Sequence, residues 1–274
     1  MNFIFYGLCS AFCWGTSDFA GGLASRRIPA LLVTLLTNVC GLVCLVPVVF
    51  VMHEQAVSLS SWTWCMMAGA VDSVALVILY AALAKGHLLA APLTALTASV
   101  LPVVVGIATD GLPRPAIVTG LALALIAVLL LSRNGKQGGH AALGLSFLSG
   151  VLTGLFLIMM HKGTPDGLVW PLVATRTGAL TVLLPLFAMA RRPGHRDGFP
   201  GLLLALIVVF EISGTICYVL SGQTGRMDVA AVLSSLYPGM TVFLSFLLFR
   251  EKIMKTQAAG VLVALVAIMF MTGA

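Results

Sequence analysis

Apolar runs long enough to cross a membrane follow one another along the sequence, and this feature restricts the fold more than any other. A helix needs about 20 apolar residues to span a bilayer. Cutting the chain at its clusters of Gly, Pro and charge predicts ten helices, at 2–24, 30–52, 62–85, 88–109, 113–132, 141–161, 167–190, 200–224, 228–249 and 255–273. The longest polar stretch between them runs only from Arg133 to His140, so no soluble domain is expected.

The composition excludes a water-soluble surface. Hydrophobic residues make up 60% of the chain and charged residues only 9%, whereas soluble domains carry about a quarter charged residues. The net charge of +6 would suit a nucleic acid, but the basic residues lie in the short gaps between apolar runs, as in the loops of membrane proteins. We therefore predict an all-α integral membrane protein in contact with lipid, with no nucleic-acid partner.

The two halves of the sequence resemble each other. Matching residues recur at an offset that grows from 137 to 140 along the chain, in the pairs Gly7/Gly144, Phe19/Phe156, Thr37/Thr175, Pro47/Pro185, Asp72/Glu211, Ala90/Ala230 and Gly120/Gly260. In the same register Asn38 matches Arg176. The register predicts a five-helix repeat at 1–132, a linker at 133–140 and a second repeat at 141–274. Because five is odd and the linker is too short to cross the membrane, the repeats should be inverted, as is typical of secondary transporters.

Four ionisable residues are predicted to lie deep within helices: Asp18, Asp72, Arg176 and Glu211. Each costs about 2.5–3.5 kcal/mol at a helix centre, which sums to roughly 10 kcal/mol. A cost of this size favours a functional polar cavity between the halves. A structural ion pair between Arg176 and Glu211 is the alternative.

Aromatic residues accompany these charges. Asp72 is followed eight residues later by Tyr80, and Glu211 seven residues later by Tyr218, so each repeat offers an acid and a phenol. Trp14 lies one turn before Asp18 and is either a wall for an organic cation or an ordinary packing residue. Helix 9 adds Tyr237 among small polar residues, with a candidate hinge at Pro238. The full set of candidate substrate-binding or proton-coupling residues is Trp14, Asp18, Asp72, Tyr80, Arg176, Glu211, Tyr218 and Tyr237.

No catalytic residue, metal site or cofactor is predicted. The sequence contains no HExxH, GxxxxGK[ST], GxSxG or dinucleotide-binding motif. Its six cysteines all lie in apolar runs without an accompanying histidine, which indicates packing rather than metal binding. We therefore expect the protein not to be an enzyme.

The sequence resembles the drug/metabolite transporter superfamily, of the EamA type. The resemblance rests on the doubled five-helix unit, on Trp14-Gly15 in helix 1, and on the segment 229–265 with its small residues, Arg250-Glu251 turn and Gly260. It implies a bacterial inner-membrane protein that exports or exchanges small metabolites, including amino acids, often coupled to protons. The Arg250-Glu251 turn is not duplicated, since the first half has Asp110-Gly111 there.

The orientation in the membrane has two opposed predictions. Eleven basic residues follow helices 1, 3, 5, 7 and 9, and three follow the others, which predicts that both termini lie outside. The resemblance implies termini in the cytoplasm. The eleven are Arg26, Arg27, Lys85, Arg133, Lys136, Arg191, Arg192, Arg196, Arg250, Lys252 and Lys255, and the three are Arg114, Lys162 and Arg226.

The function predicted from these observations is secondary active transport by alternating access. Three buried acids against one buried Arg favour a small cationic or zwitterionic substrate such as an amine or an amino acid. As the small multidrug transporters of the same superfamily are similar in using an acid in helix 1, we hypothesise that Asp18 couples transport to protons, although Asp72 or Glu211 could serve instead. No oligomer is required. The alternatives are an uptake permease and a non-transporting sensor or assembly subunit.

Overall fold

The computed structural model of the chain describes residues 2–85, 90–132, 140–165, 167–190, 199–249 and 255–272. These residues form eleven helices and no strand. The helices are α1 (Asn2–Ala24), α2 (Ala30–Met52), α3 (Leu59–Ala84), α4 (Ala90–Asp110), α5 (Pro115–Ser132), α6 (His140–Gly163), α7 (Val169–Met189), α8 (Gly201–Thr224), α9 (Met227–Ser234), α10 (Tyr237–Phe249) and α11 (Lys255–Thr272). Linker residues 133–139 and the Arg250-Glu251 turn lie outside the described residues.

The all-helical membrane class is confirmed. Within the described residues, six helices are long and apolar enough to cross a membrane: α2, α3, α4, α6, α7 and α8. Shorter apolar helices occupy 115–130 and 258–270. Large apolar side chains remain exposed along these helices, for example Val51 at 78% and Met269 at 70%. Since lipid is the solvent that accepts such surfaces, the chain is an integral membrane protein.

The predicted single helix at 228–249 is wrong, because the chain there forms two helices. α9 ends at Ser234 and α10 begins at Tyr237. Pro238 has no backbone N–H to give to the carbonyl of Ser234, and its ring clashes with that carbonyl in a continuous helix. The chain instead tightens, with the Leu236 N–H donating to the Leu233 carbonyl at 3.2 Å. All eight residues of α9 are buried, so the break lies inside the protein.

Helices from the two halves interleave. α1 packs along α8, and α3 packs along α6 and α7. The remaining extensive contacts join α2 to α7, α2 to α8, α5 to α11, α4 to α6, α4 to α9, and α1 to α9 and α10. Each half therefore buries its helices mainly against the other half.

The two halves approach each other closely at two glycines. A Cβ atom on Gly69 of α3 would collide with the backbone of Thr175, and one on Gly178 of α7 would collide with the backbone of Met66. Small residues let membrane helices approach closely enough for backbone contact. α3 and α7 thus cross with their main chains touching.

The loop after α2 holds the start of α7. The Glu54 carboxylate accepts backbone N–H bonds from Leu168 at 2.5 Å, Val169 at 2.8 Å and Trp170 at 3.1 Å. The indole of Trp170 donates to the Glu54 carbonyl at 3.1 Å and packs edge-on against Trp62. An acidic side chain at a helix N-terminus satisfies unpaired N–H groups and opposes the helix dipole. This contact joins the first half to the second.

A second polar contact joins α4 to α9. Arg226 donates to the Gly111 carbonyl and to the Asp228 carboxylate, both at 2.9 Å. Asp228 has no exposed surface and accepts the N–H of Val229 at 2.8 Å, which satisfies one N–H in the first turn of α9. The hydrogen bonds to Asp228 raise the pKa of the Arg226 guanidinium above its ordinary value. Asp110-Gly111, the turn that departs from the family pattern, is thus where this Arg binds.

Candidate functional site

A cavity of about 450 Å³, counting the space open at its mouth, lies among helices of both halves. α1 and α3 line it from the first half, and α6, α8 and α10 line it from the second. Its wall is made of Trp14, Ser17, Asp18, Asp72, Leu76, Leu79, Thr153, Phe156, Glu211 and Tyr237. Three carboxylates therefore share one cavity.

α1 presents one face to this cavity and the opposite face to the outside. Trp14 and Asp18 are one turn apart and both line the cavity, as residues at i and i+4 share a helix face. Asp18 is only 7% exposed. On the opposite face, Phe5 is 66% exposed and Phe12 50% exposed, which suits contact with lipid. Asp18 thus lies on the inward side of α1.

Asp72 and Glu211 reach the cavity from α3 and α8. They occupy matching positions in the two halves of the sequence, 139 residues apart. Their environments nevertheless differ. Glu211 forms an ion pair with Arg176 of α7, whereas no hydrogen bond or ion pair to Asp72 is among those found in the described residues.

Arg176 lies behind the cavity wall and is 4% exposed. Beyond its ion pair with Glu211, its Nη1 donates to Oδ1 of Asn38 at 3.3 Å. The Asn38 amide is oriented by its own donation to the Thr34 carbonyl at 2.8 Å, which leaves its oxygen facing Arg176. Gly41, one turn further along α2, leaves room for the guanidinium, because a Cβ there would be 3.2 Å from Nε.

Trp14 is held in place by other aromatic residues. Its ring centroid lies 5.6 Å from that of Tyr218 and 6.3 Å from that of Phe156. Gly214 gives the indole its space, since a Cβ at that position would be 2.5 Å from Cδ1 of Trp14. The indole therefore both packs and lines the cavity, and its role as a wall for an organic cation stays a prediction.

Two tyrosines of the candidate set lie outside the lining. Tyr218 is buried, and its hydroxyl donates to the Leu157 carbonyl at 2.8 Å, which joins α8 to α6. Tyr80 is also buried, with its ring against Gly21 and its hydroxyl near Ser17. Neither the Tyr80 nor the Ser17 hydroxyl forms a hydrogen bond of good geometry. Of the eight candidates, Trp14, Asp18, Asp72, Glu211 and Tyr237 line the cavity, and Tyr80, Arg176 and Tyr218 lie behind it.

Five lining residues are absent from the sequence-based set: Ser17, Leu76, Leu79, Thr153 and Phe156. Leu76 and Leu79 follow Asp72 by four and seven residues, so the helix period alone would have placed them on its face. Ser17 precedes Asp18 directly. Thr153 and Phe156 match Thr16 and Phe19 in the repeat register, neither of which lines the cavity, so the register gave no signal for them. Among the described residues, no three His, Cys, Asp or Glu side chains come together in a way that could hold a metal ion.

Comparison with known proteins agrees with this architecture. Residues 140–273 match the EamA-like transporter family. A solved crystal structure superposes with a TM-score of 0.78, covering 98% of this chain and 96% of that one, at 15% sequence identity. At that identity the similarity establishes the fold alone. No curated protein matches the sequence.

Proposed function

Because residues 140–273 make the chain a member of the EamA-like transporter family, we propose that it is a secondary transporter that exports or exchanges a small cationic or zwitterionic metabolite, such as an amine or amino acid. The observation that carries this proposal is the cavity with three carboxylates, Asp18, Asp72 and Glu211.

The charge balance of the cavity favours a positively charged group. Glu211 is neutralised by Arg176, which leaves the Asp18 and Asp72 carboxylates to bind a cation. The indole of Trp14 adds a ring to which an ammonium group is attracted electrostatically. Ser17, Thr153 and Tyr237 supply hydroxyl groups for the polar remainder of the substrate. A substrate with two or more negative charges would meet repulsion here.

We further propose that 1–132 and 141–274 are inverted repeats that exchange conformations during alternating access. The helix contacts support this. In the repeat register α1, α2 and α3 correspond to α6, α7 and α8. The contact of α1 with α8 therefore has its counterpart in the contact of α6 with α3, and the contact of α3 with α7 has its counterpart in the contact of α8 with α2. The family match adds support, because it covers one predicted repeat. Such transporters bind substrate between their repeats, near the middle of the membrane.

Proton coupling in this proposal is assigned to Asp18. Its carboxyl group carries a proton on one leg of the cycle and binds the cationic substrate on the other. Proton and substrate then each weaken the binding of the other by the same factor, as linkage requires. The proposed cycle requires no oligomer, and we place the protein in the bacterial inner membrane.

The proposal is tested by a binding screen on the purified protein in lipid nanodiscs. The screen uses isothermal titration calorimetry and covers amino acids, amines and quaternary ammonium compounds, with sugar phosphates as the anionic comparison. We expect at least one cation to bind, with affinity lost in Asp72→Asn and retained in Gln55→Ala, a change at an exposed loop residue. Binding of anions alone, or cation binding that is insensitive to Asp18→Asn and Asp72→Asn, would contradict it.

A further inference from the structure

Arg176 lies where the two halves of the protein meet at matching positions. Its hydrogen-bond partner Asn38 is also its counterpart in the repeat register, 138 residues earlier. Two equivalent residues can touch only if they lie close to the axis that relates the halves. Arg176 is thus a single charge near this axis.

The two acids beside this charge are counterparts of each other as well. Asp72 and Glu211 match in the register and line the same cavity. Arg176 binds Glu211, and it is close enough to Asp72 to act on it electrostatically. One guanidinium therefore has an equivalent carboxylate on each side.

The opposite-facing state follows from exchanging the conformations of the halves. Arg176 would then be placed relative to Glu211 as Asn38 is now placed relative to Asp72. No hydrogen bond between Asn38 and Asp72 is found in the described residues, so the present ion pair of Arg176 would be broken. Arg176 and Asp72 would take the relative positions that Asn38 and Glu211 have now. Asn38 and Glu211 are close, because both bind the same guanidinium.

Because Arg176 is buried, it needs one of the two acids, Glu211 or Asp72, as a partner in each state. Arg176 is 4% exposed, and a buried charge without a partner is strongly destabilising. Leaving Glu211 is therefore possible only if another carboxylate receives the guanidinium. Asp72 is the acid that the exchange brings to it, and no bound partner occupies it in the present state.

We propose that Arg176 exchanges carboxylate partners during the transport cycle, binding Glu211 in the state described and Asp72 in the opposite-facing state. The inference rests on the inverted-repeat transporter proposed above, and it makes Arg176 a positioning residue. In the present state Asp72 is free to bind the substrate cation. When the guanidinium moves to Asp72 it displaces that cation, which is then released. Without substrate, the guanidinium takes the place of the substrate cation at Asp72, which allows the empty protein to change from one state to the other.

The test measures the balance of the two states without any substrate. Thr153 lines the cavity, so Thr153→Cys in a cysteine-free full-length chain reports which membrane face the cavity opens to. Oriented proteoliposomes are treated with a membrane-impermeant maleimide on one face or the other, and the ratio of the two labelling rates is taken. Glu211→Gln removes the present partner of Arg176, and Asp72→Asn removes the alternative one. We expect these variants to change the ratio by about fivefold or more in opposite directions.

Two further variants make the result specific. Thr215→Val removes a hydroxyl that donates to Glu211 at 3.3 Å without changing any charge, and it should leave the ratio near the parental value. In an Arg176→Gln background, Asp72→Asn and Glu211→Gln should lose their opposed effects, since the exchanged charge is absent. If Glu211→Gln does not fold, Glu211→Asp weakens the same pair and should shift the ratio in the same direction.

Shifts in the same direction, ratios equal to the parent, or opposed shifts that persist without Arg176 would each overturn the proposal. Because no substrate is present, these outcomes are independent of the binding screen. A transporter that binds cations but shows no opposed shifts would keep its proposed function and lose only the partner exchange.

Discussion

Glu54 is expected to be among the largest single contributors to stability outside the membrane interior. Its carboxylate accepts three backbone N–H bonds at the start of α7. A hydrogen bond to a charged group contributes about 1.5–3 kcal/mol, and the charge also opposes the helix dipole by about 0.3–1 kcal/mol. Glu54 is half-buried, so water replaces part of what Glu54→Ala removes. We therefore expect a net loss of about 3 kcal/mol, below the roughly 5–10 kcal/mol to which the separate contributions sum.

The loss is measured as an apparent melting temperature by intrinsic tryptophan fluorescence in detergent. A change of about 1 kcal/mol moves the midpoint by about 2–4 °C in chains of 150–250 residues, so Glu54→Ala should lower it by about 6–12 °C. Glu54→Gln keeps one side-chain acceptor oxygen and should fall between the parent and Glu54→Ala. Gln55→Ala, at the exposed neighbour, is the control and should not move the midpoint.

A midpoint for Glu54→Ala within about 1 °C of the parent would refute this reasoning, because it would mean that solvent satisfies the first turn of α7 as well as the carboxylate does. If Glu54→Gln lowers the melting temperature as much as Glu54→Ala does, the effect is due to the charge of Glu54 alone. The three hydrogen bonds would then contribute little.

Three further predictions concern the site and the orientation of the chain. Asp18→Asn should insert normally and exchange substrate at equal pH, but it should lose uphill transport into liposomes with an imposed pH gradient; uphill transport at the parental rate would remove Asp18 as the coupling group. Gly214→Ala puts a methyl group 2.5 Å from Cδ1 of Trp14, and the overpacking cost of about 1 kcal/mol or more should displace the indole and weaken cation binding about fivefold by calorimetry; unchanged affinity would exclude Trp14 from the binding wall. The basic loops predict that a C-terminal alkaline phosphatase fusion is active, whereas a fluorescent cytoplasmic fusion would favour the orientation of the family.

The helices could be predicted from the sequence because lipid enforces their length. The predicted bounds 2–24 and 30–52 are those of α1 and α2. In hydrocarbon every backbone polar group must be bonded within the segment, so an apolar run of this length has few alternatives to a helix. The break between α9 and α10 escaped prediction because it lies in protein, where buried neighbours rather than lipid surround the freed backbone groups. Pro238 indicated a hinge there, but hydropathy gave no sign of two helices.

The cavity was harder to predict than the helices. The acids Asp18, Asp72 and Glu211 could be placed in it because they are too costly to face lipid. The tyrosines have no such restriction, and helix geometry explains where they lie. Eight residues at about 100° each turn Tyr80 about 80° away from Asp72, towards α1. Tyr218 stays near the face of Glu211, but seven residues carry it about 10 Å along α8, to the carbonyl of Leu157.

The contact between Asn38 and Arg176 bears on how such a chain can have arisen. Two separate copies of one five-helix ancestor, assembled about a twofold axis, would carry the same residue at both positions. Two arginines would repel each other there, and two asparagines would leave both neighbouring acids without a counter-ion. In the proposed inverted-repeat arrangement, gene duplication and fusion would remove that constraint, since each copy could then mutate alone. An unequal pair on the proposed axis would then be a mark of a fused chain, and we expect that neither half expressed as a homodimer reproduces its balance of charge.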